Sequence, residues 1–157
     1  MNLREFLSSP VTYLAPDKTL EGLDQTSAET RLSGAPHSIA EIVAHMAFWQ
    51  NWFYARCTGN AVAIVSSAAA GWPAVEQNSW SSIHSQFLER LEQLASLSDG
   101  DVSRRVEPPI EFPPLANYTV GEALVHVANH NSHHLGQVIL LRQLNGAWPP
   151  PAGSWTW

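Results

Sequence analysis

The chain is poor in cysteine, in positive charge and in long hydrophobic runs. Among its 157 residues Cys57 is the single cysteine, so no disulfide can form within the chain and a reducing, cytoplasmic setting is expected. Eight Lys and Arg residues against 14 Asp and Glu residues give a formal net charge of −6, and no basic cluster appears. No apolar stretch reaches the ~18 residues of a membrane span, and the N-terminus lacks the pattern of a signal peptide. We therefore expect a cytoplasmic protein that has neither a nucleic-acid partner nor a membrane partner.

The common catalytic sequence motifs are absent as well. No G-x-S-x-G elbow, P-loop or G-x-G-x-x-G fingerprint occurs, which argues against the hydrolase and nucleotide-binding folds that carry them. The composition is 45% hydrophobic and 14% charged, which is enough apolar content for a packed core and argues against a disordered chain. We expect one domain over residues 1–157.

Three segments have the period of an amphipathic helix, and no strand pattern of similar strength appears. SIAE at residue 38 and TVGE at residue 119 are capping boxes, and they predict helices that run to about residues 57 and 144. A third helix is predicted over residues 79–97. Before these, DKTLEGLDQ predicts a short helix capped by Asp17, and SAETRL predicts another. Together they predict an all-α helical bundle with long loops.

Histidine is concentrated in one of these helices. HVANHNSHHLGQ, residues 126–137, holds four of the seven histidines. His130 and His134 lie four residues apart, which on a helix lets two imidazoles converge on one metal ion. His126 and His130 share that spacing, but a helical projection places the apolar residues around His134 and leaves His126 and His133 nearer the edge of the apolar face. The pair that points most clearly into the bundle is therefore His130 and His134.

His45 is the candidate third ligand. It shares a face of its helix with Ile42, Trp49 and Trp52, so it is either a core residue or a ligand, and a facing helix with paired histidines favours the ligand. Three protein ligands leave a position open, as catalytic metal sites do. Cys57 lies roughly 18 Å further along the same helix and cannot complete the set.

The other histidines have simpler interpretations. We expect His37 to be a surface residue just before a helix cap, and His84 to be solvated. His126 and His133 either orient the ligands as hydrogen-bond partners or line the rim of a pocket. The three tryptophans of the tail WPPPAGSWTW are expected to pack on the body of the protein or on a partner.

HSIAEIVAHMAFWQNW and NHNSHHLGQVILLRQLNG resemble the second-helix and last-helix motifs of the DinB-like metalloenzymes, and the resemblance extends from about Leu20 to Gly146. It implies a four-helix bundle of up-down-down-up or similar connectivity, often a homodimer, with a metal held by His45, His130 and His134. The family includes transferases and isomerases that use low-molecular-weight thiols such as bacillithiol or mycothiol.

Three neutral imidazoles suit a divalent ion such as Zn²⁺ or Ni²⁺, which would favour deprotonation of a thiol or a water at the open position. The sequence therefore predicts a metal-dependent enzyme that acts on a small-molecule electrophile, as a thiol-dependent S-transferase or isomerase. The alternatives are a metal-dependent hydrolase and a non-catalytic dimeric bundle that binds a metal or a small ligand. No catalytic side chain beyond the ligands and no thiol-recognition motif is identified.

Overall fold

The computed structural model describes residues 2–8 and 14–154 of the chain. Six α-helices are present in these ranges: α1 Leu3–Ser8, α2 Pro16–Leu20, α3 Gln25–Glu29, α4 Ile39–Cys57, α5 Trp80–Ser96 and α6 Val120–Leu144. Short 3₁₀ turns lie at Ala68–Gly71, Leu97–Asp99 and Pro113–Leu115. The described residues form no strand, apart from an isolated bridge between Arg105 and Thr119. The all-α prediction is confirmed, while the connectivity of a four-helix bundle stays a prediction.

The two helices that carry the candidate ligands begin at the predicted capping boxes. Ser38 Oγ accepts from the backbone N–H of Glu41, whose carboxylate accepts from the N–H of Ser38, and Thr119 forms the same reciprocal pair with Glu122. α6 ends where Gly146, at φ +75°, lets the N–H of Ala147 reach back to the carbonyl of Arg142. These local signals fix where α4 and α6 start, and hence which residues face the core.

The start of α5 is held by a residue from another helix. The carboxylate of Glu29, the last residue of α3, accepts from the backbone N–H groups of Asn78, Ser79 and Trp80. A negative charge at a helix N-terminus both satisfies these donors and complements the helix dipole. The cap comes from a distant part of the chain, so the local sequence around residue 79 predicts the helix without revealing its cap.

α4 packs against both α5 and α6, and α1 packs against the same two helices. The core lies between them. Its largest fully buried hydrophobic side chains are Phe87, Leu7, Leu20, Ile39, Met46, Leu94, Leu124, Leu135, Val43 and Val120. Two large polar side chains, Arg142 and Gln50, are buried as completely.

The first 30 residues differ from the sequence prediction. α1 has no predicted counterpart, and the predicted DKTLEGLDQ helix stops after Leu20, where Glu21 leaves the helical region at ψ 135° and Gly22 follows at φ +75°. Asp17 lies inside α2 and is not its cap; Asp24 caps α3 instead, accepting from the N–H of Ser27. Short helices of five residues depend on tertiary packing more than on local propensity, so their bounds are poorly determined by sequence.

Arg142 joins the end of α6 to the N-terminal segment. Its guanidinium donates to the backbone carbonyls of Thr19, Glu21 and Ala147, and it lies 5.6 Å from the ring centre of Trp148. This tryptophan packs on the body as predicted, whereas Trp155 and Trp157 lie outside the described residues. Among the described helices, none is long and apolar enough to cross a membrane.

Candidate metal centre

The core between α4 and α6 contains a cluster of three histidines. His45 from α4 meets His130 and His134 from α6, and one ring nitrogen of each lies within 4.8 Å of those of the other two. His45 is 6% and His134 7% exposed, while His130 is half-buried. The structure thus brings together the three residues selected from sequence, in an arrangement that could hold a metal ion.

The proton positions of two of these imidazoles are set by their partners. His45 Nδ1 lies 2.6 Å from the carbonyl oxygen of Gly71, and His134 Nδ1 lies 2.7 Å from Oε1 of Gln137. Because both partners accept, each Nδ1 carries the proton and donates it. The Nε2 lone pairs of His45 and His134 therefore remain available for a metal.

The third imidazole faces the first. His45 Nε2 and His130 Nε2 are 3.1 Å apart. Two nitrogens at that separation, each 2.0–2.1 Å from one ion, would subtend roughly 100° at it, between the octahedral and tetrahedral values. Because His45 Nε2 accepts, His130 Nε2 carries the proton in this contact. A metal held between the two nitrogens would require His130 to carry its proton on Nδ1 instead.

The indole ring of Trp72 packs against the face of the His45 ring. Trp72 stacks on His45 with ring centres 3.9 Å apart and planes 10° from parallel, and its other face stacks on His37 at 3.8 Å. Its edge contacts the ring of His134. The loop between α4 and α5 thus supplies both the carbonyl of Gly71 and the ring of Trp72, which together fix the orientation of His45.

Burial keeps the cluster neutral. It lowers the pKa of His45 and of His134, and it lowers the pKa of His130 to about 3, with the neighbouring imidazoles adding to the effect. Neutral imidazoles are the form that binds a metal, so protons do not compete for these nitrogens near neutral pH.

Two cavities border the cluster at His130. One is an apolar cavity of about 430 Å³, walled mainly by aromatic and aliphatic residues of α4, α6 and the loop before α6. The other is an open groove of about 880 Å³ between α1, the same loop and α6. His126 and Tyr118 stand in both walls, joined by a 3.2 Å hydrogen bond between Tyr118 Oη and His126 Nδ1. Molecules in the two spaces would approach the cluster from different sides.

Of the remaining histidines, three are half-buried and His133 is exposed. The prediction that His84 is solvated is wrong: it is half-buried and stacks on Trp80 with ring centres 5.3 Å apart. His37 precedes the Ser38 cap as predicted, but its ring contacts Trp72. His133 lies 3.4 Å from Nε2 of Gln137, and His126 stands in the cavity walls, so neither belongs to the three-histidine cluster.

Other reactive groups near α4 and α6 are engaged or distant. Cys57 is buried, and that burial raises the pKa of its thiol to about 11. Glu41 and Glu122 are committed to the caps of α4 and α6, and their pKa values are lowered. Among the described residues that line the two cavities, Glu122 in the wall of the open groove is the one carboxylate. Acid–base chemistry at the cluster would have to use imidazoles or the Tyr118 hydroxyl.

A family model of the DinB superfamily matches residues 16–138. The chain belongs to the DinB superfamily. The matched range contains all three histidines of the cluster, and the resemblance seen in the two sequence motifs is thereby confirmed. Among curated proteins and among solved structures, nothing matches the chain. The DinB membership accounts for the helical fold, and it leaves the reaction to be inferred from the site.

Three residues that shape this DinB site were not predicted: Gln137, Gly71 and Trp72. Gln137 lies three residues after His134 on the same helix face, so helical spacing could have identified it. Gly71 and Trp72 lie in an irregular segment, where no periodicity places a carbonyl or a ring over His45.

Proposed function

We propose that His45, His130 and His134 bind a divalent metal ion, Zn²⁺ or Ni²⁺, and that the protein is a metal-dependent enzyme that transfers a thiol to a small electrophile. One observation carries the proposal: His45 and His134 each donate their Nδ1 proton to an acceptor, which leaves their Nε2 lone pairs free for a metal ion. The cluster that these residues form with His130 borders two cavities. When three neutral imidazoles bind such an ion and one coordination position stays open, the ion lowers the pKa of a thiol or water at that position.

The protein's own residues hold and orient the reactants. The apolar cavity excludes water from an electrophile, and the open groove admits a low-molecular-weight thiol, so that the two meet at His130. The thiol sulfur forms a bond to the electrophilic carbon, the leaving group departs with its electron pair, and the thiol proton is released. His126, held by Tyr118 in the shared wall, is placed to receive that proton.

A closed structural metal site is less compatible with this donor set. Structural zinc sites take four ligands and commonly include cysteine, whereas Cys57 is not part of the cluster. A metal-dependent hydrolase would use the same residues with water in place of the thiol. The activity assay must therefore distinguish thiol transfer from hydrolysis. We also propose, from the family resemblance, a homodimer of four-helix bundles. A cytoplasmic location is proposed separately, because Cys57 is the single cysteine of the sequence.

The test is metal content by plasma mass spectrometry on protein purified without an affinity tag. We expect about one metal ion per chain in the wild-type protein. The variants His45→Ala and His134→Ala should lose the metal and keep the helical circular-dichroism spectrum of the wild type. His84→Ala, which removes a half-buried histidine outside the cluster, is the matched control and should keep the metal.

Activity would then be followed with monochlorobimane and a panel of thiols: cysteine, glutathione, bacillithiol and mycothiol. Transfer that needs the metal and at least one of these thiols would support the transferase. Metal-dependent ester hydrolysis without thiol transfer would show that the protein is a hydrolase and not a transferase. Protein that takes up neither Zn²⁺ nor Ni²⁺ on reconstitution would contradict the proposal.

A further inference from the structure

The apolar cavity beside His130 has one polar wall residue whose hydrogen bonds are unaccounted for. Gln50, on α4, has no exposed surface, and neither its Nε2 nor its Oε1 has a hydrogen-bond partner among the described residues. A buried carboxamide without partners costs free energy, so such groups are normally satisfied. Because Gln50 lines the cavity, an occupant of that cavity is the candidate partner for its carboxamide.

The rest of the wall limits what that partner is. Around Gln50 the cavity is lined mainly by the rings or aliphatic side chains of residues such as Trp49, Phe53 and Leu115. Tyr118, His126 and His130 also line it, and among the described residues no lysine, arginine, aspartate or glutamate does. A charged ligand would lose its hydration here, and no charged side chain of the wall would compensate for that loss. The occupant is therefore neutral and mostly apolar, and the volume of about 430 Å³ suits a small molecule.

The two free atoms of Gln50 select the polar group of the occupant. Nε2 donates and Oε1 accepts, so a group that satisfies both must offer an acceptor and a donor side by side. An amide does this in one plane. A carboxylate only accepts and a ketone only accepts, so each would leave Oε1 unpaired. Asn131 is a second buried carboxamide with unpartnered atoms, but it is not in the wall of this cavity.

We propose that the cavity binds a neutral, largely apolar molecule bearing an amide, and that the carboxamide of Gln50 pairs with that amide. The inference rests on the proposed function in taking this molecule as the electrophilic substrate, since the same wall contains His130. The pairing itself does not involve the metal, so the two proposals can fail separately. Gln50 is a specificity residue in this assignment and not a catalytic one.

Two probes of nearly equal shape isolate the pairing. Benzamide offers a donor and an acceptor, while acetophenone replaces the donor by a methyl group. Binding is followed by chemical-shift titration of ¹⁵N-labelled protein, using the side-chain amide of Gln50 and the indole N–H of Trp49, with and without zinc. Wild-type protein should bind benzamide up to about tenfold more tightly than acetophenone, as one net hydrogen bond predicts.

The variants Gln50→Met and Gln50→Leu remove the pairing and keep an apolar side chain of similar size. Both should lose the preference for benzamide, and their melting temperatures should be equal to or above that of wild type because an unpaired buried amide is gone. Gln93→Met, the same change at an exposed position on α5, should keep the preference.

Equal affinity of wild-type protein for both probes would overturn the inference, as would a preference that survives in Gln50→Met. If both variants melt at a lower temperature than wild type and the wild-type protein itself shows no preference between the probes, a buried water satisfies Gln50. That result also overturns the inference. Loss of metal binding with the benzamide preference intact would contradict the proposed function alone.

Discussion

At the scale of single residues, the cluster depends on groups that hold the imidazoles and do not themselves reach a metal. Gln137 accepts from His134 Nδ1–H through Oε1, and its Nε2 lies 3.4 Å from a ring nitrogen of His133. The glutamine therefore selects the tautomer and the ring orientation of His134. Among the described residues His130 has no hydrogen bond at Nδ1, and its one hydrogen-bond contact is that of Nε2 with His45 at 3.1 Å.

Gln137→Leu should lower the affinity for zinc by about 10- to 100-fold, the usual effect of removing an outer partner of a metal-binding histidine. The leucine cannot accept the Nδ1 proton, so the ring is free to rotate and to present the wrong nitrogen. Affinity is measured by competition with a chromophoric chelator. Gln143→Leu, at an exposed position of the same helix, is the control and should bind zinc as wild type does. Unchanged affinity in Gln137→Leu would show that packing alone orients His134.

At the scale of elements, the irregular connection between α4 and α5 completes the site. Its 3₁₀ turn Ala68–Gly71 delivers the Gly71 carbonyl to His45, and the next residue stacks on the same ring. Residue 71 approaches a neighbouring ring closely: a Cβ there would lie 3.0 Å from Nε1 and 3.1 Å from Cζ2 of Trp49, so the ring or the turn would have to shift by a few tenths of an ångström. Trp49 also lines the apolar cavity, so one contact links the metal cluster to the cavity wall.

Gly71→Ala should therefore affect both sites at once. The added methyl group displaces the Trp49 ring or the turn, and overpacking of this kind costs about 1–3 kcal/mol in the free energy of unfolding. Because the turn carries the acceptor for His45, zinc affinity should fall as well. Urea unfolding and chelator competition measure the two effects. In Gly100→Ala the new Cβ would meet its nearest neighbour at an ordinary 3.7 Å, so that variant should show neither effect.

At the scale of the whole molecule, histidines rather than carboxylates set the first response to acid. Burial is the first cause of the lowered pKa at each of the five affected histidines, which are His45, His84, His126, His130 and His134. Unfolding returns each pKa toward its ordinary value of 6.5, so the unfolded chain binds more protons below that pH. The stability contributed by keeping these rings neutral is complete above about pH 7 and is lost as the pH falls below 6.5.

The metal-free protein should accordingly keep a constant melting temperature from about pH 8 to 7 and lose stability steadily between about pH 6.5 and 5. The carboxylates with lowered pKa, such as Glu41 and Glu122, contribute a separate loss that begins nearer pH 4.5, their ordinary value. Calorimetric scans at closely spaced pH values measure both. Zinc at neutral pH should raise the melting temperature by mass action. A flat profile down to pH 5 would contradict the burial of these rings.

The sequence by itself determined the parts of this protein that depend on local, periodic signals. The capping boxes at Ser38 and Thr119 begin α4 and α6 where they were predicted, because a cap and its partner lie within one helical turn. The four-residue spacing of His130 and His134 and the apolar face around His45 identified the cluster for the same reason. The two motifs also indicated the DinB family, which the family match confirms.

Only the tertiary structure decided what surrounds those histidines. The acceptor for His45, the ring that stacks on it and the walls of the apolar cavity come from the aperiodic segments before α5 and α6, where the local sequence carries no geometric signal. Glu29 caps a helix about 50 residues away, and the carboxamide of Gln50 has no hydrogen-bond partner among the described residues because of what packs around it. Such contacts are properties of the folded arrangement, because each depends on segments that are distant in sequence.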